Sequence, residues 1–153
     1  MMKRSFSLRV GSPVLIGLSI LVGACGSETA VSEAPAAGAR RVLFAEPKDG
    51  ATVKSPVTLR YSIEGYQLGA VPAGEVTTAR AGLGHHHVAV DADCLPVGTV
   101  IPKATPWVHH GDGATEMQMQ LPPGKHKLTL QLGDDLHTTM TDLCTSITVN
   151  VTE

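Results

Sequence analysis

The chain has 153 residues, of which 42% are hydrophobic and only 3% aromatic, and its formal net charge is −2. A nucleic-acid-binding protein needs a basic surface to neutralise phosphates, so this charge excludes nucleic acid as an expected partner. The scarcity of aromatic residues predicts an aliphatic core and leaves no aromatic platform on which bases or sugars could stack.

The N-terminus has the features of an export signal. Basic residues occur within the first nine positions, and an uncharged apolar run follows at residues 14–24. This run is too short to form a permanent transmembrane helix. Residues 21–25, Leu-Val-Gly-Ala-Cys, resemble the bacterial lipobox, whose cysteine is lipidated after cleavage. We therefore expect residues 1–24 to be a lipoprotein signal peptide and Cys25 to carry the lipid, because cleavage by an ordinary signal peptidase would leave an odd thiol.

The composition of residues 25–40 predicts a flexible tether. They are mostly small and polar, and they cannot bury enough apolar surface to order themselves. The bilayer is thus an expected partner through the acyl chains of Cys25. Gly26 and Ser27 follow this cysteine, and the absence of Asp there favours, by the pattern of bacterial lipoproteins, the outer membrane facing the periplasm in a diderm cell.

Residues 41–153 have the size of one domain, about 110 residues, and the pattern of an all-β fold. Apolar and polar side chains alternate, as in strands with one buried face, at residues 57–64, 117–121, 128–132 and 147–151. Clusters of Pro and Gly separate these segments, and no window has a helical period. The pattern predicts an antiparallel immunoglobulin-like β-sandwich of about seven strands, with an eight-stranded barrel or jelly roll as the alternative. Between Gly65 and Gly82 we expect a long excursion with little regular structure.

Two cysteines remain once Cys25 is assigned to lipid. Cys94 and Cys144 are expected to form a disulfide, because leftover cysteines of an exported domain usually pair. Closing a loop of about 50 residues would stabilise the fold by ~4 kcal/mol. The competing interpretation, two thiolate metal ligands, is weaker because neither cysteine has the spacing typical of zinc sites.

Seven histidines are many for a domain of this size, and imidazole is a good ligand for zinc and copper. In the stretch Gly-His-His-His-Val-Ala-Val-Asp, alternation places His86 on the core side with Val88 and Val90. His85 and His87 then share the other face, where two imidazoles can bind one ion. We expect His86 to be a buried, hydrogen-bonded structural residue.

The other histidines differ in their expected roles. His109 and His110 precede a turn, Gly111-Asp112-Gly113, and only one of them is expected to join a site because adjacent side chains point to opposite sides of an extended chain. His137 lies in a loop and can either reach inward or be solvated. His126 is in line with the buried positions of its strand and is expected to be structural.

Catalytic motifs are lacking in the sequence. No Gly-x-Ser-x-Gly elbow and no glycine-rich phosphate loop occurs, so we do not expect an enzyme. Met117 and Met119 fall on the buried face of their strand, which favours core packing over copper ligation.

Three blocks resemble the bacterial secreted proteins of domain-of-unknown-function family 4399, whose pattern runs GHHH, then HxHxGxGxTE, then PGxHxLxLxLGDxxH. The likeness extends from about Val42 to Val151. The matching residues are His85, His86, His87, His109, Gly111, Gly113, Thr115, Glu116, His126, Gly133, Asp134 and His137. Trp107 stands where the family usually has the first histidine of HxH, and His110 occupies a usually aromatic position, so His110 is a candidate substitute ligand.

These observations leave two main hypotheses. In the first, a lipid-anchored module binds a transition metal, copper or zinc, through His85, His87, His109 and His137, and Asp91 or Glu116 orients an imidazole. In the second, the domain is a structural or protein-interaction module without a metal. Zinc-dependent hydrolysis at an open coordination site is a third, weaker possibility.

Overall fold

The structure is a computed structural model that describes residues 39–153. The predicted signal peptide (1–24), the lipidated Cys25 and all but the last two residues of the tether lie outside the described residues. The described part forms nine strands and no helix, so it contains no helix long and apolar enough to cross a membrane. The strands are β1 (Arg41–Glu46), β2 (Thr52–Lys54), β3 (Val57–Glu64), β4 (Gln67–Leu68), β5 (Leu83–Val90), β6 (Trp107–His110), β7 (Glu116–Met119), β8 (Gly124–Gly133) and β9 (Thr139–Thr152).

Two sheets make up the fold. One has three strands in the order β1-β3-β7, and the other has six, in which β2-β9-β8-β5-β4 form a continuous path and β6 pairs with β5. Most pairs are antiparallel, whereas β2–β9 and β4–β5 are parallel. The all-β, sandwich-like prediction is confirmed, and the immunoglobulin-like type stays a prediction. Nine strands replace about seven, partly because β2 and β4 have only three and two residues, too few to show alternation.

The main core is aliphatic, as the composition predicts. The alternating residues of β3 place Val57, Leu59 and Tyr61 inward and Arg60 outward. They pack with apolar residues of the larger sheet, of which Leu128, Leu130, Leu132, Leu143 and Val149 are fully buried. Met119 belongs to this core and Met117 packs against it, which confirms their predicted role. The predicted excursion between Gly65 and Gly82 contains only the short strand β4.

The outer face of the larger sheet is also buried where β5 and β8 pair. The segment between β5 and β6, residues 91–106 (hereafter the cover segment), contributes Ile101, which forms a second small apolar cluster with Ala89 and Trp107. Strands β5 and β8 are therefore covered on both faces, and residues 128–133 of β8 are all buried.

Polar bonds and a disulfide hold the cover segment on the sheet. The Gln131 side chain accepts a hydrogen bond from the backbone N–H of Leu95 at 2.9 Å and donates one to its carbonyl at 3.0 Å. Thr139 Oγ1 donates to the Pro96 carbonyl at 2.6 Å. Cys94 is bonded to Cys144, as predicted, so these cysteines are not thiolate ligands. The result is an enclosed layer above the outer face of β5.

Candidate metal centre

Strand β5 carries the three consecutive histidines, all of them 0% exposed. His86 points into the main core, where its ring centroid lies 4.6 Å from that of Tyr61. His85 and His87 point the opposite way, under the cover segment, with ring centroids 4.6 Å apart. The predicted alternation is therefore confirmed. The buried position predicted for His86 is confirmed, but the predicted hydrogen bond is not formed, because neither of its ring nitrogens has a partner among the described residues.

Pairing of β5 with β6 brings in a third imidazole. The antiparallel register sets His109 opposite His87 and His110 opposite His86. The His109 ring accordingly lies 4.9 Å from that of His85 and 5.2 Å from that of His87, between centroids. His110 points away: its Nδ1 contacts the Tyr61 hydroxyl and its Nε2 lies 3.3 Å from an Asp112 carboxylate oxygen. One of the adjacent pair joins the group, as expected, and His110 is not a substitute ligand.

The turn between β8 and β9 supplies the fourth imidazole. The Asp134 carboxylate accepts hydrogen bonds from the backbone N–H groups of Leu136 and Thr138 at 2.8 and 2.9 Å. His137 has a φ of 65°, a conformation that L residues rarely adopt, and its carbonyl accepts a hydrogen bond from Ile101 N–H at 2.8 Å. These contacts turn the His137 side chain inward, so its ring centroid lies 4.8 Å from that of His85.

The four side chains form one compact group, hereafter the imidazole cluster, which consists of His85, His87, His109 and His137. One ring nitrogen from each lies within 4.8 Å of the others. Both ring nitrogens of His85 and His87 and Nε2 of His137 are buried without a hydrogen-bond partner among the described residues. A buried polar atom left unsatisfied costs about 1–3 kcal/mol, so such atoms are rare unless something else binds them.

Electrostatics keeps the cluster neutral. Burial, reinforced by the neighbouring imidazoles, lowers the pKa of His85 to about 3 and that of His87 to about 2. The pKa values of His109 and His137 are also lowered, first by burial and then by the charge of Lys103. Each ring therefore has a free lone pair at neutral pH, which is the form that binds metal.

Two glycines make room for the imidazoles. A Cβ at Gly111 would lie 2.5 Å from His109 Nε2, and one at Gly133 would lie 2.9 Å from His87 Cε1. No side chain fits at either position without displacing a ring. Sequence reasoning assigned Gly111 only to a turn and missed this packing role, for which the spacing of Gly and His in the second block was the available signal.

The remaining candidates have structural partners. His126 contacts an Asp91 carboxylate oxygen through Nδ1 at 2.9 Å and the Pro122 carbonyl through Nε2 at 3.0 Å, in agreement with its predicted role. The expectation that Asp91 or Glu116 orients a cluster imidazole is wrong. Asp91 is occupied by His126 and by the Lys127 N–H, and Glu116 accepts a hydrogen bond from Arg60.

Comparison with known proteins identifies the family. Residues 60–152, more than half of the chain, match the profile described as Domain of unknown function (DUF4399). The chain belongs to this family. The matched region contains the whole imidazole cluster and both bonded cysteines, so the site lies within the DUF4399 domain. No curated protein and no solved structure matches the chain.

Proposed function

We propose that this protein is a lipid-anchored component of the bacterial cell envelope that binds one transition-metal ion, zinc or copper, in the imidazole cluster. One observation carries the proposal: four neutral imidazoles from three separate parts of the chain converge, and most of their ring nitrogens have no partner among the described residues.

The donor set favours zinc and copper over other ions. All four donors are imidazole nitrogens, whereas Ca²⁺ and Mg²⁺ prefer oxygen ligands. Cys94 of the cover segment and Cys144 of β9 are joined in a disulfide, so neither offers a thiolate to a softer ion. Imidazole nitrogens bind Zn²⁺ at about 2.0–2.1 Å, usually as four ligands in a tetrahedron.

The structural alternative makes a different expectation about the histidines. An imidazole that only supports the fold should be bonded to neighbouring groups, as His126 is bonded to Asp91 and Pro122. The cluster shows the opposite arrangement, because one nitrogen of each ring lies within 4.8 Å of the others and the buried ring nitrogens of His85 and His87 have no hydrogen-bond partner among the described residues. This contrast supports metal binding rather than a purely structural role.

The proposed activity is binding without hydrolysis. A catalytic zinc site has three protein ligands and leaves one position for water, whereas four ligands complete a tetrahedral sphere. The envelope location is supported by the lipobox-like sequence that ends at Cys25 and by a disulfide, which suits an oxidising compartment. We place the protein at the outer membrane, facing the periplasm, in a diderm cell.

Metal analysis of the protein without a histidine tag tests the proposal. We expect about one zinc or copper ion per chain, and loss of that ion in a His85→Ala/His87→Ala double variant. Because these two residues are fully buried, His109→Ala serves as a second variant whose exposed side chain can be removed without opening the core. His126→Gln is the matched control, a histidine outside the cluster. Equal metal content in all four proteins would contradict the proposal.

A further inference from the structure

A pocket of about 450 Å³ lies against the imidazole cluster, with His137 in its wall. Most of the remaining wall is apolar and comes from the 65–82 excursion, the cover segment and the β8–β9 turn. It is formed by Val71, Val76, Val100, Pro102 and Leu136. Two of these side chains are unusually exposed for their type, Val100 at 62% and Leu136 at 39%. The pocket thus has a solvent-exposed apolar wall next to the imidazole cluster.

The pocket contains one negative charge, and that charge is already neutralised. The Asp135 carboxylate accepts hydrogen bonds from Arg80 Nη2 and Nε, both at 2.8 Å, and from the Arg80 backbone N–H at 2.9 Å. Its side chain is only 1% exposed. The Arg80 guanidinium lowers the pKa of Asp135 to about 2, so the pair is ionised and internally balanced at neutral pH.

The pocket also contains one positive charge, and that charge has no partner. Lys103 lines the pocket and makes no hydrogen bond or ion pair with any residue from 39 to 153. Lys103 and His137 line the same pocket, so one bound anion can contact both side chains. The unpaired ammonium group makes this end of the pocket electropositive.

We propose that this pocket binds a small organic monoanion, a carboxylate attached to a short apolar body. The carboxylate lies at Lys103 and His137, and the apolar body packs between Val100 and Leu136. The walls of the pocket are formed by the protein alone, so the pocket does not require a bound ion. This inference builds on the proposed function, because His137 belongs both to the pocket and to the proposed metal site.

Charge and shape select this ligand class over others. A neutral ligand would leave Lys103 without a counter-charge, and a cation would be repelled by it. A multiply charged anion would find only one free cation, because the Arg80 guanidinium is held by Asp135. A carboxylate without an apolar part would leave the valine and leucine side chains exposed to water, where burial of apolar area would otherwise stabilise the complex.

A bound metal ion strengthens the preference of the pocket for an anion. Its positive charge adds to that of Lys103, so the anion should bind more tightly to the metal-loaded protein than to the metal-free protein. By thermodynamic reciprocity the anion should then raise metal affinity by the same factor. The two sites would respond to each other although each can be measured alone.

Calorimetric titration of the full-length protein in detergent tests the inference with three ligands: benzoate, its neutral isostere benzamide, and acetate. We expect benzoate to bind at least about tenfold more tightly than either of the others, since benzamide lacks the charge that Lys103 would pair with and acetate lacks the apolar ring that the valine and leucine side chains would bury. Lys103→Ala should remove the preference for benzoate over benzamide. Lys125→Ala, which removes an exposed lysine of β8 outside the pocket, should leave it unchanged. Leu136→Ser should lower the affinity for benzoate and leave the affinity for acetate unchanged.

The titration is run on metal-free and zinc-loaded protein, with zinc content measured separately. Benzoate binding by a protein that takes up no zinc would support the pocket and contradict the metal site. Zinc uptake without any benzoate binding would overturn the pocket alone. Equal affinities for benzoate and benzamide, or identical behaviour of Lys103→Ala and Lys125→Ala, would also overturn it.

Discussion

Acidification should unfold the metal-free protein well above the pH at which carboxylates titrate. His85, His86 and His87 are fully buried, and burial lowers their pKa values to about 3, 4 and 2, from an ordinary value of 6.5. Below pH 6.5 the unfolded chain therefore binds protons that the folded protein cannot bind. Stability must fall as the pH falls from 6.5 towards those lower values.

The size of the effect follows from the three shifts. At pH 5, about 1.5 units below the unfolded value, each histidine contributes a loss of roughly 2 kcal/mol, at about 1.4 kcal/mol per unit. Three such groups give at least roughly 6 kcal/mol, because the lowered pKa values of His109 and His137 act in the same direction, and this loss is comparable to the ~5–15 kcal/mol that stabilises a typical domain. The His126–Asp91 pair acts in the opposite direction, because Asp91 raises the pKa of His126 and its contribution is lost as the pH rises through that raised value. This pair is largely solvent-exposed at Asp91 and cannot offset three buried rings.

Urea unfolding followed by tryptophan fluorescence measures this loss. The single tryptophan, Trp107, is 5% exposed and packs under the cover segment, so its emission should report unfolding. With chelator present, the free energy of unfolding should decrease between pH 6 and pH 5 with a slope of about three protons. His86→Leu, which keeps the core contact with Tyr61 apolar, should lower the slope by about one proton. Equal stability at pH 7.5 and pH 5, or an unchanged slope in His86→Leu, would show that the buried histidines do not control the acid stability of the fold.

Three further predictions concern the site and its cover. Gly111→Ala should lower zinc affinity about tenfold or more, because the new methyl group displaces the His109 ring, whereas the same change in a His109→Ala background should have no effect on zinc titrations. Zinc at about 100 times its dissociation constant should raise the free energy of unfolding of the wild-type protein by ~2.7 kcal/mol in urea titrations. An equal zinc-induced increase in the His85→Ala/His87→Ala variant would contradict the proposed site. Replacing both Cys94 and Cys144 by Ala should lower the free energy of unfolding by ~4 kcal/mol, and an unchanged urea midpoint would show that the disulfide does not restrain the cover segment.

Local alternation was sufficient to predict how β5 divides its histidines. Side chains on a strand alternate with a period of two, so the inward direction of Val88 and Val90 determined that of His86, and the opposite direction of His85 and His87 followed. The same reasoning identified the buried faces of β3 and β8. It also predicted that adjacent His109 and His110 would separate.

Longer-range pairing could not be obtained in this way. The register that sets His109 beside His87 depends on which strands meet, and the inward turn of His137 depends on an uncommon positive φ in a short loop. The cover segment was missed because its sequence has no strand or helix period. Consequently the buried polar contacts of Gln131 and the second apolar layer above β5 were not anticipated.

Two wrong expectations have a common physical origin. Asp91 was expected to orient a metal-binding imidazole, yet it lies beyond the end of β5 with a φ of 55° and reaches His126 on the neighbouring strand. His86 was expected to be hydrogen-bonded, yet the core that surrounds it offers the aromatic ring of Tyr61. Both errors concern partners that only the packing of neighbouring strands determines.

X-ray absorption at the metal edge, recorded on the untagged protein after reconstitution with zinc or copper, shows whether the imidazole cluster holds the ion. We expect one ion per chain with a shell of four imidazole nitrogens, at about 2.0–2.1 Å for zinc, and no sulfur. A protein that takes up no ion, or an ion whose shell lacks imidazole scattering, would contradict the proposed metal site.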